Sequence, residues 1–162
     1  MSTRRLFTTT TPLPPTATRP AALRLLTSHS SMIDLNPLVT SRQWLSTPPP
    51  QAPPSERSEQ YEWYAITDRL CCCLGLTYVA SFHDEEDGGL RTHTFAPLGL
   101  EIRGLWSLVD EDGGGLAVRE TVELTCSRLL VGFVEGTLKR AHRTLVERFS
   151  QRVLTMGEVG FR

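Results

Sequence analysis

The sequence lacks several features that would assign it to a large functional class. No apolar run approaches the roughly 20 residues needed to cross a bilayer, which predicts a soluble or at most peripheral protein. The formal net charge is -1, so there is no basic excess of the kind that binds nucleic acid. No nucleophile elbow, phosphate-binding loop or dinucleotide glycine fingerprint occurs, and hydrolase, kinase and dehydrogenase functions therefore lack support.

Metal-binding patterns are missing as well. Three of the four cysteines are consecutive, Cys71 to Cys73, and consecutive strand residues point to alternate faces, so they cannot converge on one zinc ion. The acidic, glycine-rich segments 84–89 and 110–115 lack the ligand spacing of a calcium loop, and we interpret them as solvated hairpin turns. The sequence thus predicts no metal and no cofactor, and cysteines without a disulfide pattern favour a reducing compartment.

The chain has the length of a single domain. With 162 residues, 40% of them hydrophobic, it can bury a core without disulfides or metals. We predict one domain over residues 1–162, with a proline-rich loop at 47–56 and a flexible tail at 155–162. The loop could be a partner motif, but its spacing fits a connection between two strands at least as well.

The N-terminal segment allows two interpretations. Residues 1–33 contain four arginines, many serines and threonines and no acidic residue, which are features of a mitochondrial transit peptide. However, residues 4–11 are rich in β-branched side chains, and residues 18–29 have the pattern of a capped helix, as a folded domain would use. We therefore predict a cytoplasmic protein, with a mitochondrial location as the alternative.

Hydrophobic patterning predicts one strand, two short helices, six further strands and a long closing helix. The predicted strands cover residues 4–13, 39–45, 60–70, 76–83, 90–95, 100–109 and 116–126, and the predicted helices cover 18–29, 32–38 and 127–154. This is the element order of the START-like, or helix-grip, fold. We therefore predict an α+β domain in which a curved antiparallel sheet of about seven strands wraps around the C-terminal helix.

Several motifs carry a closer resemblance. They are MIDLNPLV at residues 32–39, YAITDR at 64–69, FHD at 82–84, THTFAPLGLEIR at 92–103, Trp106, and FVEGTLKRAH at 133–142. Together they resemble an uncharacterised family of filamentous-fungal proteins, a domain of unknown function with START-like (SRPBCC) build. The likeness covers nearly the whole chain, with departures at residues 71–75 and between Trp106 and Leu116. START-like proteins as a class bind lipids, sterols and polyketides, and some cyclise or dehydrate bound polyketides.

Strand alternation indicates which side chains could line a cavity beneath the closing helix. Gly104 and Trp106 share the apolar face of their strand, and Arg103 lies on the opposite face. Glu120 also falls on an apolar face, where a carboxylate is costly unless it is paired or protonated. It could anchor a ligand or act as a general acid or base, or it could be neutralised by an arginine or turned to solvent by a bulge.

Other candidates are less distinctive. His93 could transfer a proton beside His83 or Glu101, or be a structural residue, and Arg103 could bind an anionic group or form a surface pair with Glu101 or Glu123. His142 is interpreted as a boundary residue of the closing helix. Gly132 and Gly136 each cost that helix about 1 kcal/mol relative to alanine. They predict either space for a ligand or a closely approaching strand.

These observations support three functional hypotheses. The first is binding of a hydrophobic small molecule of lipid, polyketide or terpenoid type, with Trp106, Gly104, Arg103, Gly132 and Gly136 as ligand-binding residues. The second is a cofactor-free cyclase or dehydratase of fungal secondary metabolism, with Glu120 and His93 as catalytic residues. The third is a non-enzymatic scaffold that uses the proline-rich loop. A cavity of about 300 Å³ or more would favour ligand binding, and a filled interior would favour a structural role.

Overall fold

The chain folds into one antiparallel sheet and three α-helices. The computed structural model describes residues 1–158. Its strands are β1 (Ser2–Pro12), β2 (Val39–Leu45), β3 (Glu62–Cys71), β4 (Leu74–Asp84), β5 (Leu90–Ala96), β6 (Leu100–Asp110) and β7 (Leu116–Ser127). Its helices are α1 (Arg19–Leu26), α2 (His29–Leu35) and α3 (Val131–Glu158), and two single 3-10 turns span Pro54–Glu56 and Pro97–Gly99.

The sheet has the strand order β1-β7-β6-β5-β4-β3-β2, and every neighbouring pair is antiparallel. All pairs except β1–β7 join strands that follow each other along the chain. The sheet curves around α3, with the two short helices after the first strand. This confirms the predicted α+β helix-grip fold.

Antiparallel pairing places the strand connections alternately at the two ends of the sheet. One end carries the β3–β4 hairpin (71–74), the β5–β6 turn (97–99) and the β7–α3 loop (128–130), none of which contains an acidic residue. We call it the apolar end. The opposite end carries the β4–β5 turn (85–89) and the β6–β7 turn (111–115), and we call it the acidic end.

The core forms where α3 crosses the concave face of the sheet. Ala141, Leu145, Phe149 and Val153 recur at spacings of three and four and are buried. Helix α1 adds its own apolar face, and its first turn is capped by the Thr18 hydroxyl, which accepts a hydrogen bond from the amide of Ala21 at 3.4 Å. No helix within residues 1–158 has the length and apolar character that a bilayer crossing needs.

The three helices were predicted in the right order but with inexact bounds, since the observed α1, α2 and α3 replace predicted helices over 18–29, 32–38 and 127–154. The closing helix begins at Val131 and continues to Glu158, so residues 155–158 of the predicted flexible tail are helical, and the rest of that tail lies outside the described residues. The second short helix covers His29–Leu35 and ends before Asn36, which is extended because the following Pro37 disfavours helical geometry at the preceding residue.

The N-terminal segment is an integral part of the fold. Strand β1 pairs with β7 from Ser2 to Pro12, and both short helices contribute buried residues to the core. The residues with the composition of a transit peptide are therefore used as an edge strand and as two packed helices.

The proline-rich loop between β2 and β3 lies against the convex face of the sheet. Pro49 and Ala52 are buried, and the Trp63 indole donates a hydrogen bond to the carbonyl of Glu56 at 3.0 Å. The segment is thus a packed strand connection rather than a fully exposed linker.

Candidate functional site

A cavity of about 180 Å³ lies between the concave face of the sheet and α3. Its wall is mainly apolar, with side chains such as Ile66, Phe82, Val122 and Leu145. Asp68, Tyr78, Glu120 and His142 are among its few polar side chains. The cavity is smaller than the roughly 300 Å³ set as a criterion for ligand binding, but the interior is not filled.

A larger groove of about 710 Å³ adjoins the cavity. It runs between β1 and α3, where Phe7 and Thr9 face Lys139, Arg143 and Glu147. Trp106, Glu120 and His142 line both spaces. These three side chains therefore stand between an apolar cavity and a more polar groove.

Glu120 and His142 form a hydrogen-bonded pair at this junction. Glu120 is 5% exposed, and its Oε1 contacts Nδ1 of His142. When the carboxylate is ionised it can only accept, and Nδ1 then donates the proton of this hydrogen bond. Nε2 of His142 makes no hydrogen bond within residues 1–158. The pair is arranged so that the carboxylate fixes the ring and leaves Nε2 available for exchange of a proton.

Backbone register explains how the pair is positioned. Glu120 lies directly opposite Trp106 in the β6–β7 ladder, and the ring of His142 lies 5.6 Å from the Trp106 ring at an interplanar angle of 44°. His142 is four residues after Leu138 and three before Leu145, on the apolar face of α3. The indole thus packs against the imidazole that Glu120 orients.

Asp68 and Tyr78 form a second polar pair in the cavity wall. The Tyr78 hydroxyl donates to Oδ1 of Asp68 at 3.1 Å. Burial raises the pKa of Asp68 to about 6, although the Tyr78 hydrogen bond and the charge of His142 both act to lower it. Burial also raises the pKa of Tyr78, which remains a neutral phenol. Near neutral pH, Asp68 can therefore change between hydrogen-bond acceptor and donor.

Gly104 and Trp106 lie in the cavity wall, as the strand alternation predicts. Gly104 permits a close approach between β6 and β5, because a Cβ atom there would lie 2.5 Å from the Thr92 hydroxyl oxygen. Trp106 is 4% exposed.

Gly132 and Gly136 are not among the residues that line the cavity. A Cβ atom on Gly132 would meet nothing within 4 Å, and one on Gly136 would meet only the Arg140 guanidinium, at 3.4 Å. No strand approaches either glycine closely. The helical period alone could not distinguish a small residue facing the core from one facing outward.

His93 lies on the opposite face of the sheet from Glu120, so the two do not form one site. Its neighbours Thr92 and Thr94 line the cavity, and alternation turns His93 to the convex face beneath the proline-rich loop. There Nδ1 contacts Glu56 at 2.6 Å and Nε2 contacts Glu101 at 2.7 Å. The expected neighbour Glu101 is present.

Arg103 shares that outer face and is exposed, away from the cavity. Its Nη2 lies 2.9 Å from Oε1 of Glu101, which is the surface pair considered as the alternative. Burial acts to raise the pKa of Glu101, but the His93 hydrogen bond and the Arg103 charge outweigh it and lower the pKa. His83 stacks on Tyr61 instead of joining this cluster.

Sequence reasoning missed three of the four side chains that form the two polar pairs, Asp68, Tyr78 and His142. Asp68 follows Tyr64 and Ile66 at spacings of two, which is the same signal that identified Glu120. His142 has core spacing on α3 but was interpreted as a boundary residue. No signal in the sequence would have paired Tyr78 with Asp68 without the β3–β4 register.

The exposed cysteines lie away from this site, at the tip of the β3–β4 hairpin. The sulfurs of Cys72 and Cys73 are 3.6 Å apart, and all four cysteines of the chain are free thiols. Within residues 1–158, no group of three or more His, Cys, Asp or Glu side chains could hold a metal ion.

The family model of a domain of unknown function, DUF7053, matches residues 2–155. The chain belongs to the DUF7053 family. A comparison of this DUF7053 chain with curated proteins found no match.

Solved structures share the fold of this DUF7053 chain at low identity. Truncated norcoclaurine synthase from Thalictrum flavum is 12% identical, with 94% of this chain and 95% of that chain covered and a TM-score of 0.68. The Zhui aromatase/cyclase from Streptomyces sp. R1128 is 13% identical, with 100% and 97% covered and a TM-score of 0.59. TTHA0849 from Thermus thermophilus is 16% identical, with 94% and 98% covered and a TM-score of 0.63. These are START-like and Bet v1-like folds.

Proposed function

We propose that this DUF7053 protein binds a hydrophobic small molecule that carries a polar group, in the cavity between the sheet and α3. The observation that carries the proposal is the presence of two polar pairs, Asp68–Tyr78 and Glu120–His142, in a mainly apolar wall. Buried carboxylates destabilise a fold unless they are partnered. A ligand hydroxyl, carbonyl or amine would supply further partners to Asp68 and to the free Nε2 of His142.

The dimensions of the two spaces support an extended ligand. The cavity of about 180 Å³ is slightly larger than the ~150 Å³ apolar cavity that holds a benzene molecule, so it suits one ring or a short chain. The adjoining groove, about 710 Å³ in volume, offers Lys139, Arg143 and Glu147 to a more polar portion. A lipid, polyketide or terpenoid has this division into apolar and polar parts, and the similarity to an aromatase/cyclase agrees with it.

Ligand uptake can be tested by reducing the size of the cavity. Thr137 and Ala141 of α3 line it, and we expect Thr137→Phe and Ala141→Leu to weaken binding of an environment-sensitive naphthalene dye by at least about tenfold, because each fills space that the dye would occupy. Thr144→Phe is the matched control, since Thr144 lines neither the cavity nor the groove. Circular dichroism checks that each variant is folded.

Native mass spectrometry of the gently purified protein provides an independent measurement. A bound apolar mass that disappears in Thr137→Phe but remains in Thr144→Phe would support the proposal. Equal dye affinity in all folded variants would contradict it.

The Glu120–His142 pair supports a second candidate function, a cofactor-free enzyme of the cyclase or dehydratase type. Nε2 of His142 would remove a proton from an activated carbon or donate one to a departing hydroxyl, while Glu120 holds Nδ1–H and stabilises the imidazolium. His142 takes the role first assigned to His93. We expect Glu120→Gln and His142→Ala to lose activity and His93→Ala to retain it.

Deuterium exchange into an aryl 1,3-diketone measures this proton transfer without knowledge of the natural substrate. Protein-dependent exchange at the central carbon that is lost in His142→Ala and retained in His93→Ala would support the enzymatic function. Exchange that survives both Glu120→Gln and His142→Ala would reject these residues as the catalytic pair.

The biological setting belongs to the same proposal. A cytoplasmic location is supported by four free thiols, which persist in a reducing compartment, while use of the N-terminal segment as β1 and two packed helices argues against a cleaved mitochondrial signal there. The motifs at residues 32–39 and 92–103 support a fungal origin, and likeness to an aromatase/cyclase supports a role in secondary metabolism.

A further inference from the structure

Strongly exposed apolar side chains are concentrated at the apolar end of the sheet. Each of its three connections presents one leucine: Leu74 in the hairpin, Leu98 in the β5–β6 turn and Leu129 in the β7–α3 loop. Their exposures are 55%, 81% and 94%. Phe133, in the first turn of α3, is 60% exposed beside them. Large apolar side chains at three separate loop tips are unusual on a surface that contacts only water.

The backbone at Leu98 adds a second observation. Leu98 has a φ of 63° and lies between Pro97 and Gly99. This left-handed conformation suits glycine or asparagine and is strained for a bulky side chain. If only this turn geometry were required at position 98, glycine or asparagine would satisfy it with less strain than an exposed leucine. The residue is better explained by a contact that its side chain makes with another apolar phase.

Charge is distributed unevenly between the two ends of the molecule. The connections of the apolar end contain Arg128 and no acidic residue, and exposed Arg69 pairs with Gly75 next to the hairpin tip. The acidic end carries Asp84 to Asp87 and Asp110 to Asp112, seven carboxylates in all. Although the net charge is only -1, the molecule has a polarity that would turn its apolar end towards a negatively charged surface.

The cavity extends to the same end. Leu70, Leu100 and the exposed Phe133 all line it, and they adjoin the hairpin, the β5–β6 turn and the β7–α3 loop respectively. A surface that covers the apolar end would therefore also cover the approach to the cavity.

We propose that the apolar end docks onto a lipid bilayer that contains anionic lipids. Leu74, Leu98 and Leu129 enter the interfacial region together with Phe133, and Arg69 and Arg128 contact the headgroups. Three projecting loop tips suit a deformable lipid surface better than the flat, preformed face of a protein partner. Exchange of a ligand between the bilayer and the cavity rests on the proposed function, whereas the docking itself does not.

Vesicle flotation with the full chain tests the docking. The vesicles are phosphatidylcholine alone and phosphatidylcholine mixed with phosphatidylserine. We expect stronger binding to the mixed vesicles, weakened by salt, and a loss of about tenfold in affinity when Leu98 and Leu129 are both changed to Gln. The matched control is Leu6→Gln with Trp44→Gln, since these side chains are 68% and 58% exposed but lie away from the apolar end.

The single substitution Leu98→Asn distinguishes a loss of vesicle binding from a loss of folding. Leu98→Asn relieves the left-handed strain, so we expect it to unfold at a higher denaturant concentration than the wild type and yet to bind mixed vesicles more weakly. A variant that was merely misfolded could not show both effects.

Several outcomes would overturn the docking proposal. The first is wild-type protein that binds neither vesicle type. The second is an equal loss of vesicle affinity in the Leu6 and Trp44 control. The third is a concentration-dependent dimer in sedimentation that the Leu98 and Leu129 changes abolish. Equal binding to both vesicle types would overturn the role of anionic lipid. Protein that takes up the naphthalene dye but ignores vesicles would reject docking while leaving the proposed function intact.

Discussion

At the scale of single residues, Gly104 and Gly136 make a matched pair. A Cβ atom on Gly104 would lie 2.5 Å from the Thr92 hydroxyl oxygen, whereas one on Gly136 would meet only the mobile end of Arg140 at 3.4 Å. Thr92 is β-branched and has few alternative rotamers. Substitution of the two glycines by alanine should therefore have effects of opposite sign.

We expect Gly104→Ala to lower the free energy of unfolding by about 1–3 kcal/mol through overpacking. Gly136→Ala should raise it by up to about 1 kcal/mol, because alanine has the higher helix propensity. Urea denaturation of both variants measures these changes. A destabilised Gly136→Ala would indicate a contact on the outer side of α3.

The protonation state of Asp68, and with it the polarity of the cavity wall, changes with pH. Burial raises its pKa to about 6, above the roughly 3.9 of an unfolded aspartate. Between these two pKa values the folded state binds the proton more tightly, so this residue makes stability increase as pH falls from about 6 towards 4. Above pH 6 the charged form opposes folding.

Asp68→Asn removes the charge and retains an acceptor for Tyr78. At pH 7 we expect a gain in unfolding free energy on the order of 1–2 kcal/mol, which should largely vanish near pH 4 where the wild-type carboxyl is protonated. Urea titrations at the two pH values measure the difference. Asp112→Asn, at an exposed turn position, is the control, and a similar pH-dependent gain there would contradict the assignment to burial.

The individual residues show what alternation along a strand can and cannot predict. Glu120, Gly104 and Trp106 were placed on the cavity side because the β-strand period assigns a face to each residue. His93 lies on the other face of the sheet from Glu120, because Thr92 and Thr94 face inward, and nothing in the composition of its strand shows which face is the inner one. His142 needed the packing of α3 against β7, which local sequence does not encode.

At the scale of elements, His93 holds the proline-rich loop to the convex face. Both ring nitrogens contact carboxylates, those of Glu56 and Glu101. Ser81 donates to the second oxygen of Glu56 at 2.8 Å. The loop is thus attached to β4 and β5 through a single glutamate, and His93 extends the network to Glu101 of β6.

We expect His93→Gln to loosen this loop while the sheet remains folded. Hydrogen bonds to charged groups contribute about 1.5–3 kcal/mol, so hydrogen exchange at the amides of Ala52 and Glu56 should accelerate by at least about tenfold. Arg91→Gln is the control, because Arg91 lies on the same face of β5 but pairs with Glu85 rather than with His93 or Glu56. Unchanged exchange in His93→Gln would show that the buried Pro49 and Ala52 hold the loop without the histidine.

Element order was predictable and element ends were less so. The strands follow from alternation bounded by proline and acidic glycine-rich turns, and β2 was predicted at its observed limits. The end of α3 was missed because residues 155–158 continue the helix without the repeating apolar positions of the preceding turns. The predicted end of α2 at residue 38 was three residues too late, and its start at His29 depends on tertiary contacts of that histidine with Glu62 and Asp84.

At the scale of the whole molecule, β1 covers the backbone edge of β7 and bounds the groove. It pairs with β7 along Ser2–Pro12, and Phe7 and Thr9 form one wall of the groove. Deletion of residues 1–12 would leave the β7 backbone unpaired at a new edge. We expect the truncated chain to lose its cooperative thermal transition and to aggregate.

Leu6→Gln is the control for this deletion, because Leu6 is exposed and its replacement leaves the backbone ladder intact. Circular dichroism melting and light scattering measure the two effects. A truncated chain that melts cooperatively would show that the remaining strands fold independently of β1.

The global arrangement was predictable from the sequence to the level of fold, because the order of elements and the family motifs restrict the topology. The positions of the cavity and groove were not predictable, since their volumes depend on how far α3 stands from β1 and β7. The concentration of exposed leucines at one end also requires the three-dimensional placement of loops that are distant in sequence.

The β1–β7 pairing has a consequence for biosynthesis. Every other neighbouring pair in the sheet joins consecutive strands, but Arg4 of β1 contacts Glu123 of β7 across 119 residues. Contacts of such high sequence separation form late because a long loop must close first. During translation, β1 emerges before the other six strands of this sheet, and its partner β7 emerges last of those six. The β1–β7 edge of the sheet is therefore completed only after β7 has been synthesised.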